Sequence, residues 1–541
     1  MPESPIRARV LGRWPLITAI GLAIVVVALG RTGSFVAGGA DSYGYLSEAR
    51  LWLDGQLRVR QDVMQAAPFP AAQAIFTPLG YEGSRDPFHI VPVHAPGLPL
   101  LMAAGVLVVG WCGAFWVVPL MGGLLIVATY AMGARLGRPV VGLAAAVLVA
   151  ASPAVLFMLV NPMSDLPAAA ALATAIACVL GRGRASALSA GLWVGLAILI
   201  RPNLVPVAVP FGLFTLRRDL SARPRRLVTG TTPWLFAGAS VGIGIVAAVN
   251  AHLYGSPFTS GYHDLDYDIA HVWPNVGRYL GWLLDTQGPL VFVGLAALAL
   301  PTRALWITGA AREAVWFFVV FVAAVVVPFL FFSINEAWWY LRYLLPMWPV
   351  MMLATAAALG ALFGRGLPGR VVAVGLLVWA VWFGSSAAVE RGVFGIRALE
   401  QKYIDAADLV AGHTDGRAAI LAVQHSGSVR HYAGLMTLRW DMFERGTLDA
   451  ALDWLAATGR RPWLLVEPWE AELFRRRYGA TDAAGQLDWA PRVTLEAVTT
   501  IHLYDLADRR TRPEDTIVVD RRGEPAGHQC VAPAPPVPFN W

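Results

Sequence analysis

Long apolar runs separated by polar segments fill the chain up to about residue 390. The first run covers residues 14–30, and a polar segment follows it to about residue 96. A helix needs about 20 mostly apolar residues to cross a bilayer. The pattern therefore predicts a polytopic α-helical membrane protein with about eleven transmembrane helices. After the first, the predicted spans are approximately 115–134, 139–160, 166–180, 186–200, 204–216, 229–250, 288–300, 314–332, 343–361 and 371–388.

The charges of the loops indicate whether a shorter apolar run at 96–111 crosses the membrane. If this run does not cross the membrane, the arginine-rich loops all fall on one side. The acidic segments at 31–95 and 251–287 then fall on the other side, as the positive-inside rule expects. We therefore predict a re-entrant or interfacial helix at 96–111 and a cytoplasmic N-terminus. The segments 31–95 and 251–287 become large outer loops of a transmembrane domain at 1–389.

The composition changes abruptly from apolar to charged and polar at about residue 390. Strand-like apolar runs then alternate with segments of helical spacing, which indicates a small α/β domain at 390–530 on the outer face. A proline-rich tail is predicted at 531–541. For a bacterial cytoplasmic (inner) membrane, this domain would be periplasmic or extracellular. The strand-like runs are 418–423, 463–466 and 493–504, and the helical ones are 448–457 and 469–478.

Composition supports this class and excludes others. Hydrophobic residues make up 57% of the 541 residues and charged residues 14%, far from the averages of soluble domains. The net charge of +6 comes mainly from arginines in short loops, where membrane topology explains it, so we expect no nucleic-acid partner. Cys112, Cys178 and Cys530 show neither a disulfide framework nor a metal-ligand spacing. We therefore expect no disulfide framework and no redox chemistry.

Asp41 lies just beyond the first apolar run, in the sequence Gly38-Gly39-Ala40-Asp41-Ser42. A carboxylate there is at the water edge of the bilayer, where a lipid head group and a soluble molecule can meet. The spacing of apolar residues predicts an amphipathic interfacial helix at 42–55. Asp41 is therefore either the N-cap of that helix or a catalytic group. The same alternatives apply to Asp165, which precedes a helix with Pro167 in its first turn.

The predicted spans carry no Asp, Glu, Lys or Arg in their cores. Ion-coupled transporters usually bind the driving ion at such residues. The pattern therefore favours chemistry at the outer surface over transport. A lipid-carrier flippase or polysaccharide exporter stays open as an alternative, as does a sensor or scaffold whose outer domain binds a ligand.

Several short motifs follow one another along the chain: Asp41 after the first helix, His94-Ala95-Pro96-Gly97-Leu98-Pro99, Ser164-Asp165, Arg201-Pro202-Asn203, Tyr254-Gly255-Ser256-Pro257-Phe258 and Arg342-Tyr343-Leu344-Leu345-Pro346. Taken in order, these motifs resemble the GT-C fold glycosyltransferases. The branch concerned contains the protein O-mannosyltransferases and the lipid A aminoarabinose transferase, and the resemblance covers roughly residues 10–390. Two positions depart from its pattern: Asp41-Ser42 stands where two acids are common, and His94-Ala95 where Lys or Tyr is common.

The resemblance implies transfer of a sugar from a polyprenyl-phosphate donor at the outer face of the membrane. The acceptor would be a glycan, lipid or protein. Asp41 is the candidate general base, and single displacement would invert the anomeric centre. Asp165 is the candidate that orients the acceptor or holds a cation. The candidates that bind the donor phosphate are Arg58, Arg201, Arg342 and Tyr343, although each arginine could instead be a snorkelling helix-end residue.

A divalent metal ion is a further expectation. His94 and His263, with the acidic residues at 264–268 and His271, offer nitrogen and oxygen ligands of the kind that Zn²⁺ and other divalent ions use. Their spacing matches no standard motif, and a solvated acidic loop is the alternative. We expect at most one such ion.

Overall fold

The computed structural model describes residues 5–222, 230–262, 265–300, 303 and 305–535. A bundle of helices precedes a mixed α/β domain, as the hydrophobic pattern predicts. Short 3-10 segments at Gly30–Thr32, Pro202–Val207, Ile269–His271 and Trp338–Met347 join some of the helices. The helices of the bundle are α1 (Pro5–Leu29), α2 (Asp41–Asp54), α3 (Val63–Ala66), α4 (Ala72–Ile75), α5 (Gly97–Val109), α6 (Trp111–Arg135), α7 (Pro139–Ala150), α8 (Pro153–Leu159), α9 (Asp165–Val179), α10 (Arg184–Ile200), α11 (Ala208–Ala222), α12 (Thr232–Tyr254), α13 (Val272–Gln287), α14 (Leu290–Ala299), α15 (Gly309–Phe331), α16 (Trp348–Phe363) and α17 (Gly366–Glu390).

Among the described residues, six helices are long and apolar enough to cross a membrane, and a bent helix pair would make a seventh. All eleven predicted runs contain helix. However, α9, α10 and α14 are apolar helices of at most 17 residues, and α11 is a helix of 15 residues. The count of eleven is therefore higher than the six or seven that length and composition support. The six helical stretches are Arg13–Thr32, Trp111–Arg135, Thr232–Tyr254, Gly309–Phe331, Trp338–Phe363 and Gly366–Glu390.

The predicted span at 139–160 is broken in the structure. Helices α7 and α8 meet at an angle of 66°, and Ser152 between them is extended, with φ −73° and ψ 124°. The following Pro153 disfavours the helical conformation for Ser152. The hydroxyl of Ser152 accepts hydrogen bonds from Trp348 Nε1 at 2.8 Å and Gln287 Nε2 at 2.9 Å. These buried bonds hold the break in place.

The two predicted outer loops contain more structure than the sequence indicates. Residues 31–95 hold α2 to α4 and a small antiparallel sheet of order β1-β3-β2, formed by β1 (Val59–Arg60), β2 (Tyr81–Gly83) and β3 (His89–Pro92). The second loop ends in α13, a 16-residue amphipathic helix. The run at 96–111 forms the 13-residue helix α5. Its re-entrant or interfacial placement stays a prediction.

The C-terminal domain is an α/β domain with a six-stranded mixed sheet of order β5-β4-β6-β8-β7-β9. The run at 493–504 is two antiparallel strands and not one, and β5 and β9 carry no strong alternation in the sequence. The predicted helix at 448–457 is confirmed, and that at 469–478 begins one residue earlier. The strands are β4 (Ala418–Leu421), β5 (Met436–Leu438), β6 (Arg461–Val466), β7 (Val493–Glu496), β8 (Thr500–Asp505) and β9 (Ile517–Asp520), and the helices are α18 (Ile396–Glu400), α19 (Lys402–His413), α20 (Ser426–Ala433), α21 (Leu448–Ala457), α22 (Pro468–Tyr478) and α23 (Ala483–Gln486).

This domain packs directly on residues 31–95. The Phe69 ring lies 5.6 Å from the Phe443 ring and 5.4 Å from the Trp454 ring. The guanidinium of Arg430 also donates to the Phe76 carbonyl at 2.7 Å. Aromatic pairs and a buried charged donor of this kind fix the relative position of two units. The domain therefore rests on the segment that carries α2.

The expectation about the cysteines is wrong in one respect. Cys112, at the start of α6, forms a disulfide with Cys530, with the Cα atoms 4.9 Å apart. The two residues are 418 positions apart in the sequence, so spacing cannot show that they pair. Of the predicted tail at 531–541, only residues 531–535 are described, and there the Ala534 N–H donates to the His431 carbonyl at 2.6 Å.

Candidate active site

A cavity of about 370 Å³ brings together most of the candidate residues. It lies between the start of α2, the start of α9, the end of α10 and the Trp338–Met347 segment. Its acidic, basic and imidazole side chains are those of Asp41, His94, Asp165, Arg201 and Arg342. Seven aromatic residues also line it: Tyr45, Tyr254, Tyr262, Tyr267, Phe329, Phe332 and Tyr343.

Asp41 is the first residue of α2 but does not cap it. The N-cap position is Ala40, which makes no side-chain cap bond. The Asp41 carboxylate faces the cavity instead, with Oδ1 3.3 Å from His94 Nε2 and Oδ2 3.7 Å from Arg342 Nη1. About 39% of its side-chain surface stays accessible there. The structure thus does not support the N-cap interpretation of Asp41.

His94 is fixed against α2 by the absence of a side chain at Gly44. A Cβ atom at position 44 would overlap the imidazole ring of His94. The ring is 4% exposed and lies 4.4 Å from the ring of Tyr45. A larger residue at position 44 would therefore displace the group that contacts Asp41.

The surroundings of Asp41 keep it ionised. Desolvation in the cavity wall by itself would raise the pKa of Asp41. The hydrogen bond and charge of His94, followed by the charges of Arg342 and Arg201, outweigh this effect and lower the pKa to about 2. Asp41 is therefore a carboxylate at every physiological pH.

Asp165 occupies the corresponding place at the start of α9. It is 3% exposed, makes no cap bond, and forms an ion pair with Nη1 of Arg201. Arg201 follows directly after α10, where its extended backbone, with φ −142°, turns the chain out of the helix. The neighbouring Ser164 hydroxyl accepts a hydrogen bond from Tyr45 Oη at 2.9 Å, so α2 and α9 are connected beside the cavity.

Two guanidinium groups flank the ring of Tyr343. The Cζ atom of Arg342 lies 5.2 Å from the ring centroid and that of Arg201 lies 5.5 Å from it. The ring itself stacks on Phe329 with centroids 4.9 Å apart. Cation–π contacts of this kind hold arginines in place while their N–H groups stay available. Paired guanidinium forks suit a phosphate, which can accept several such bonds.

Arg58 does not lie with Arg201, Arg342 and Tyr343. Its guanidinium donates to the carbonyl oxygen of His252 near the end of α12, and Arg58 does not line the cavity.

Sequence reasoning also missed Tyr45 and Tyr262 as cavity residues. Tyr45 could have been found, because it lies four residues after Asp41 and thus on the same helical face.

The metal ligands predicted from the sequence do not assemble among the described residues. His263 and Asp264 lie outside the described residues. His94 contacts Asp41, and the His271 Nε2 atom lies 3.0 Å from Asp266 Oδ2. In the part of the chain that the structure describes, no group of three or more His, Cys, Asp or Glu side chains converges as metal ligands would. The divalent ion expected from the sequence therefore stays a prediction.

Glu48, two turns beyond Asp41 on α2, is a buried acid. It is fully buried, and its Oε1 accepts from Trp52 Nε1 at 3.2 Å. Its Oε2 has no hydrogen-bond partner among the described residues. Burial raises the pKa of Glu48 from 4.5 to about 8. Between these values the folded chain keeps a proton that the unfolded chain has lost, so the free energy of unfolding falls as pH rises.

We predict that Glu48→Gln increases the thermal midpoint of the detergent-solubilised protein relative to the unmodified chain. The increase should be larger at pH 8 than at pH 5, because the amide keeps an acceptor for Trp52 and removes the titration. The exposed Glu444→Gln is the matched control. A difference in midpoint that does not change with pH would contradict the assignment of a raised pKa to Glu48.

Comparison with known proteins identifies solved structures that have a similar fold. No family model matches the sequence, and no curated protein matches it. Among solved structures, ArnT from Cupriavidus metallidurans bound to undecaprenyl phosphate is similar at 14% identity and a TM-score of 0.50, over 86% of this chain and 95% of that one. The apo oligosaccharyltransferase of Archaeoglobus fulgidus is similar at 12% identity and a TM-score of 0.54, over 91% of this chain and 74% of that one.

The oligosaccharyltransferase AglB of Archaeoglobus fulgidus, in complex with an inhibitory peptide and a dolichol-phosphate, is also similar. It has 11% identity and a TM-score of 0.53, over 91% of this chain and 74% of that one. The likeness extends over both the bundle and the C-terminal domain. The motifs at 41, 94–99, 165, 201 and 342 predicted the same architecture. The chain therefore has the GT-C fold of these membrane glycosyltransferases.

Proposed function

We propose that the protein transfers a sugar from a polyprenyl-phosphate donor to an acceptor at the outer face of a bacterial cytoplasmic membrane. The observation that carries this proposal is the cavity in which two carboxylates and two guanidinium groups converge beside Tyr343. The co-bound undecaprenyl phosphate of ArnT and dolichol-phosphate of AglB support a polyprenyl-phosphate carrier. The acceptor is a hydroxyl or other nucleophile of a glycan, lipid or protein.

In the proposed reaction, the acceptor oxygen attacks the anomeric carbon of the sugar. The bond between that carbon and the phosphate oxygen breaks, and the phosphate keeps the electron pair. Arg201 and Arg342 stabilise the charge that develops on the phosphate, and both guanidinium groups lie near the Tyr343 ring. Asp41 accepts the proton of the acceptor hydroxyl. A single displacement of this kind inverts the anomeric centre.

The low pKa of Asp41 fits this order of events. Without a donor, the positive groups around Asp41 make it a weak base. A donor phosphate would share Arg342 and Arg201, so their charge would stabilise the carboxylate less and its basicity would rise. The proton acceptor would thus become effective when the donor is in place. Asp165, which is paired with Arg201, would orient that arginine or the acceptor.

The orientation of the chain gives a prediction. The N-terminus and the arginine-rich loops should be cytoplasmic, and residues 390–541 should be outside, because of the charge distribution of the loops. Reporter fusions after Arg226, which lies outside the described residues, and after Arg391 measure this. An outside signal from the first fusion or an inside signal from the second would overturn the topology.

The metal content gives a second prediction. We expect at most one divalent ion per chain, bound by His94 together with the segment around His263. Elemental analysis of the purified protein before and after dialysis against a chelator measures it, with His94→Ala as the comparison. More than one tightly bound ion, or an ion that His94→Ala keeps, would contradict this prediction.

Mass spectrometry of lipid that co-purifies with the protein tests the proposed function. We expect a polyprenyl phosphate, with or without a sugar, at close to one molecule per chain. Arg342→Gln should lose most of it, since one of the two phosphate-binding guanidinium groups is removed. A wild-type protein that carries only bulk phospholipid, under conditions that preserve its fold, would contradict the proposal.

A further inference from the structure

The loop that leads from α1 into Asp41 is held by a short segment that follows strand β9. We name residues 529–534 the C-terminal strap. Both backbone groups of Phe35 pair with it: the Phe35 N–H donates to Gln529 Oε1 at 2.9 Å, and the Cys530 N–H donates to the Phe35 carbonyl at 2.9 Å. A loop that is paired in this way on both sides has little freedom to move.

Gln529 is itself fixed. It is 1% exposed, and its amide donates to the Arg397 carbonyl at 3.0 Å and to Gln401 Oε1 at 3.1 Å. Its two ends thus connect the loop before α2 with the region around α18 and α19. A buried amide whose polar groups are paired holds the segments that it bonds in one relative position.

The C-terminal domain also contacts the next residues of the same loop. The Ala37 N–H donates to Tyr432 Oη at 2.7 Å. Gly38 lies so close to the ring of Tyr403 that a Cβ atom would overlap it. Gly39 has φ +56°, a conformation that glycine adopts readily. Only Gly39 and Ala40 separate Gly38 from Asp41 in the sequence.

The strap is tied at two further points. The disulfide links Cys530 to Cys112 at the start of α6. Beyond it, Arg50 Nη1 on α2 donates to the Ala534 carbonyl at 2.6 Å. The strap therefore crosses the loop at Phe35 and is attached to both α6 and α2.

We infer that the C-terminal strap and Tyr432 position Asp41 for the reaction. This inference rests on the proposed function. The Asp41 side chain makes no cap bond to its own helix, and its 3.3 Å and 3.7 Å contacts depend on where the first turn of α2 lies. A displacement of about 1 Å at a reacting group can cost roughly a hundredfold in rate. Gln529 and Tyr432 are thus positioning residues that act through the loop at 33–40.

Two sets of variants test this role. Tyr432→Phe removes the acceptor of the Ala37 N–H, and the double variant Cys112→Ser/Cys530→Ser removes the covalent attachment of the strap to α6. Each should lower kcat about tenfold and leave KM for the donor within about twofold, because Arg201 and Arg342 are untouched. Their combined effect should be smaller than the product of the separate effects, since both act on the same loop.

Hydrogen exchange measured by mass spectrometry provides a readout that needs no activity. Exchange in the peptide covering residues 33–40 should be faster in both variants. Tyr504→Phe is the matched control, because Tyr504 is buried in the same domain and its hydroxyl bonds Arg475. This control should keep kcat and the exchange of residues 33–40 unchanged.

Unchanged kcat with unchanged exchange in both strap variants would overturn the inference. So would an equal loss of kcat in Tyr504→Phe, which would show general damage to the domain. If the wild-type protein transferred no sugar, the proposed function would fail, and faster exchange at 33–40 would still show that the strap holds the loop. An unchanged exchange in that case would remove the inference as well.

Discussion

Asp41→Asn is expected to lower turnover by about two to four orders of magnitude. The amide has the shape of the carboxylate and can still contact His94, so the protein should fold and insert into the membrane. It cannot accept the proton of the acceptor, which is the role that we propose for Asp41. Single-turnover and steady-state transfer rates of the purified protein measure the effect. Because Asp41 does not cap α2, a loss of helix stability would not explain it.

The same variant should keep most of its donor affinity, since the phosphate is bound by guanidinium groups. The loss should therefore appear in kcat more than in donor KM. Asp165→Asn is the comparison, and we expect a milder loss of turnover from it. That variant should be less stable to heat, because it leaves the charge of Arg201 without its buried partner. A folded Asp41→Asn protein with near wild-type turnover would rule out Asp41 as the base.

Arg342→Gln is expected to weaken donor binding about ten- to a hundredfold. Hydrogen bonds to charged groups contribute about 1.5–3 kcal/mol, and this substitution removes one of the two guanidinium groups beside Tyr343. Asp41 keeps its contact with His94, so the carboxylate is not left without a partner. Titration of the protein with polyprenyl phosphate in detergent, followed by intrinsic fluorescence, measures the affinity.

Two variants show whether the effect of Arg342 is specific. Arg342→Lys keeps the charge but not the planar fork, so it should restore only part of the affinity. Arg278→Gln removes another arginine, one that pairs with Glu336 at 2.7 Å and does not line the cavity. It should bind the donor like the wild-type protein. Equal weakening by Arg278→Gln and Arg342→Gln would indicate general electrostatics and not a defined phosphate site.

The sequence predicts the parts of this molecule that depend on local pattern. Apolar runs predict the bundle, and the alternation beyond residue 390 predicts the α/β domain, because burial of an apolar face repeats along each element. The candidates Asp41, Asp165, Arg201, Arg342 and Tyr343 come from motif order, and all five line the cavity. Their roles were not decided by pattern, since a carboxylate at a helix start has the same sequence signature as an N-cap.

The features that the sequence does not predict depend on contacts between distant residues. The Cys112–Cys530 pair has no spacing signal, and β5 has only three residues. Strand β9 has only four residues and is largely exposed, so its apolar residues are too few to stand out as a separate strand. Arg58 is expected in the site from its position in the predicted outer segment, but its guanidinium is directed to the His252 carbonyl. Loop position alone does not determine where a long side chain ends.

The state of the bound carrier lipid tests the central claim most directly. Native mass spectrometry can compare the lipid on wild-type protein with that on Asp41→Asn, both purified from cells that supply donor and acceptor. We expect Asp41→Asn to retain the sugar-loaded polyprenyl phosphate, because it binds the donor and transfers it slowly, and the wild-type protein to carry mainly the sugar-free form. The same ratio of loaded to free carrier on both proteins would contradict the claim that Asp41 drives sugar transfer in this cavity.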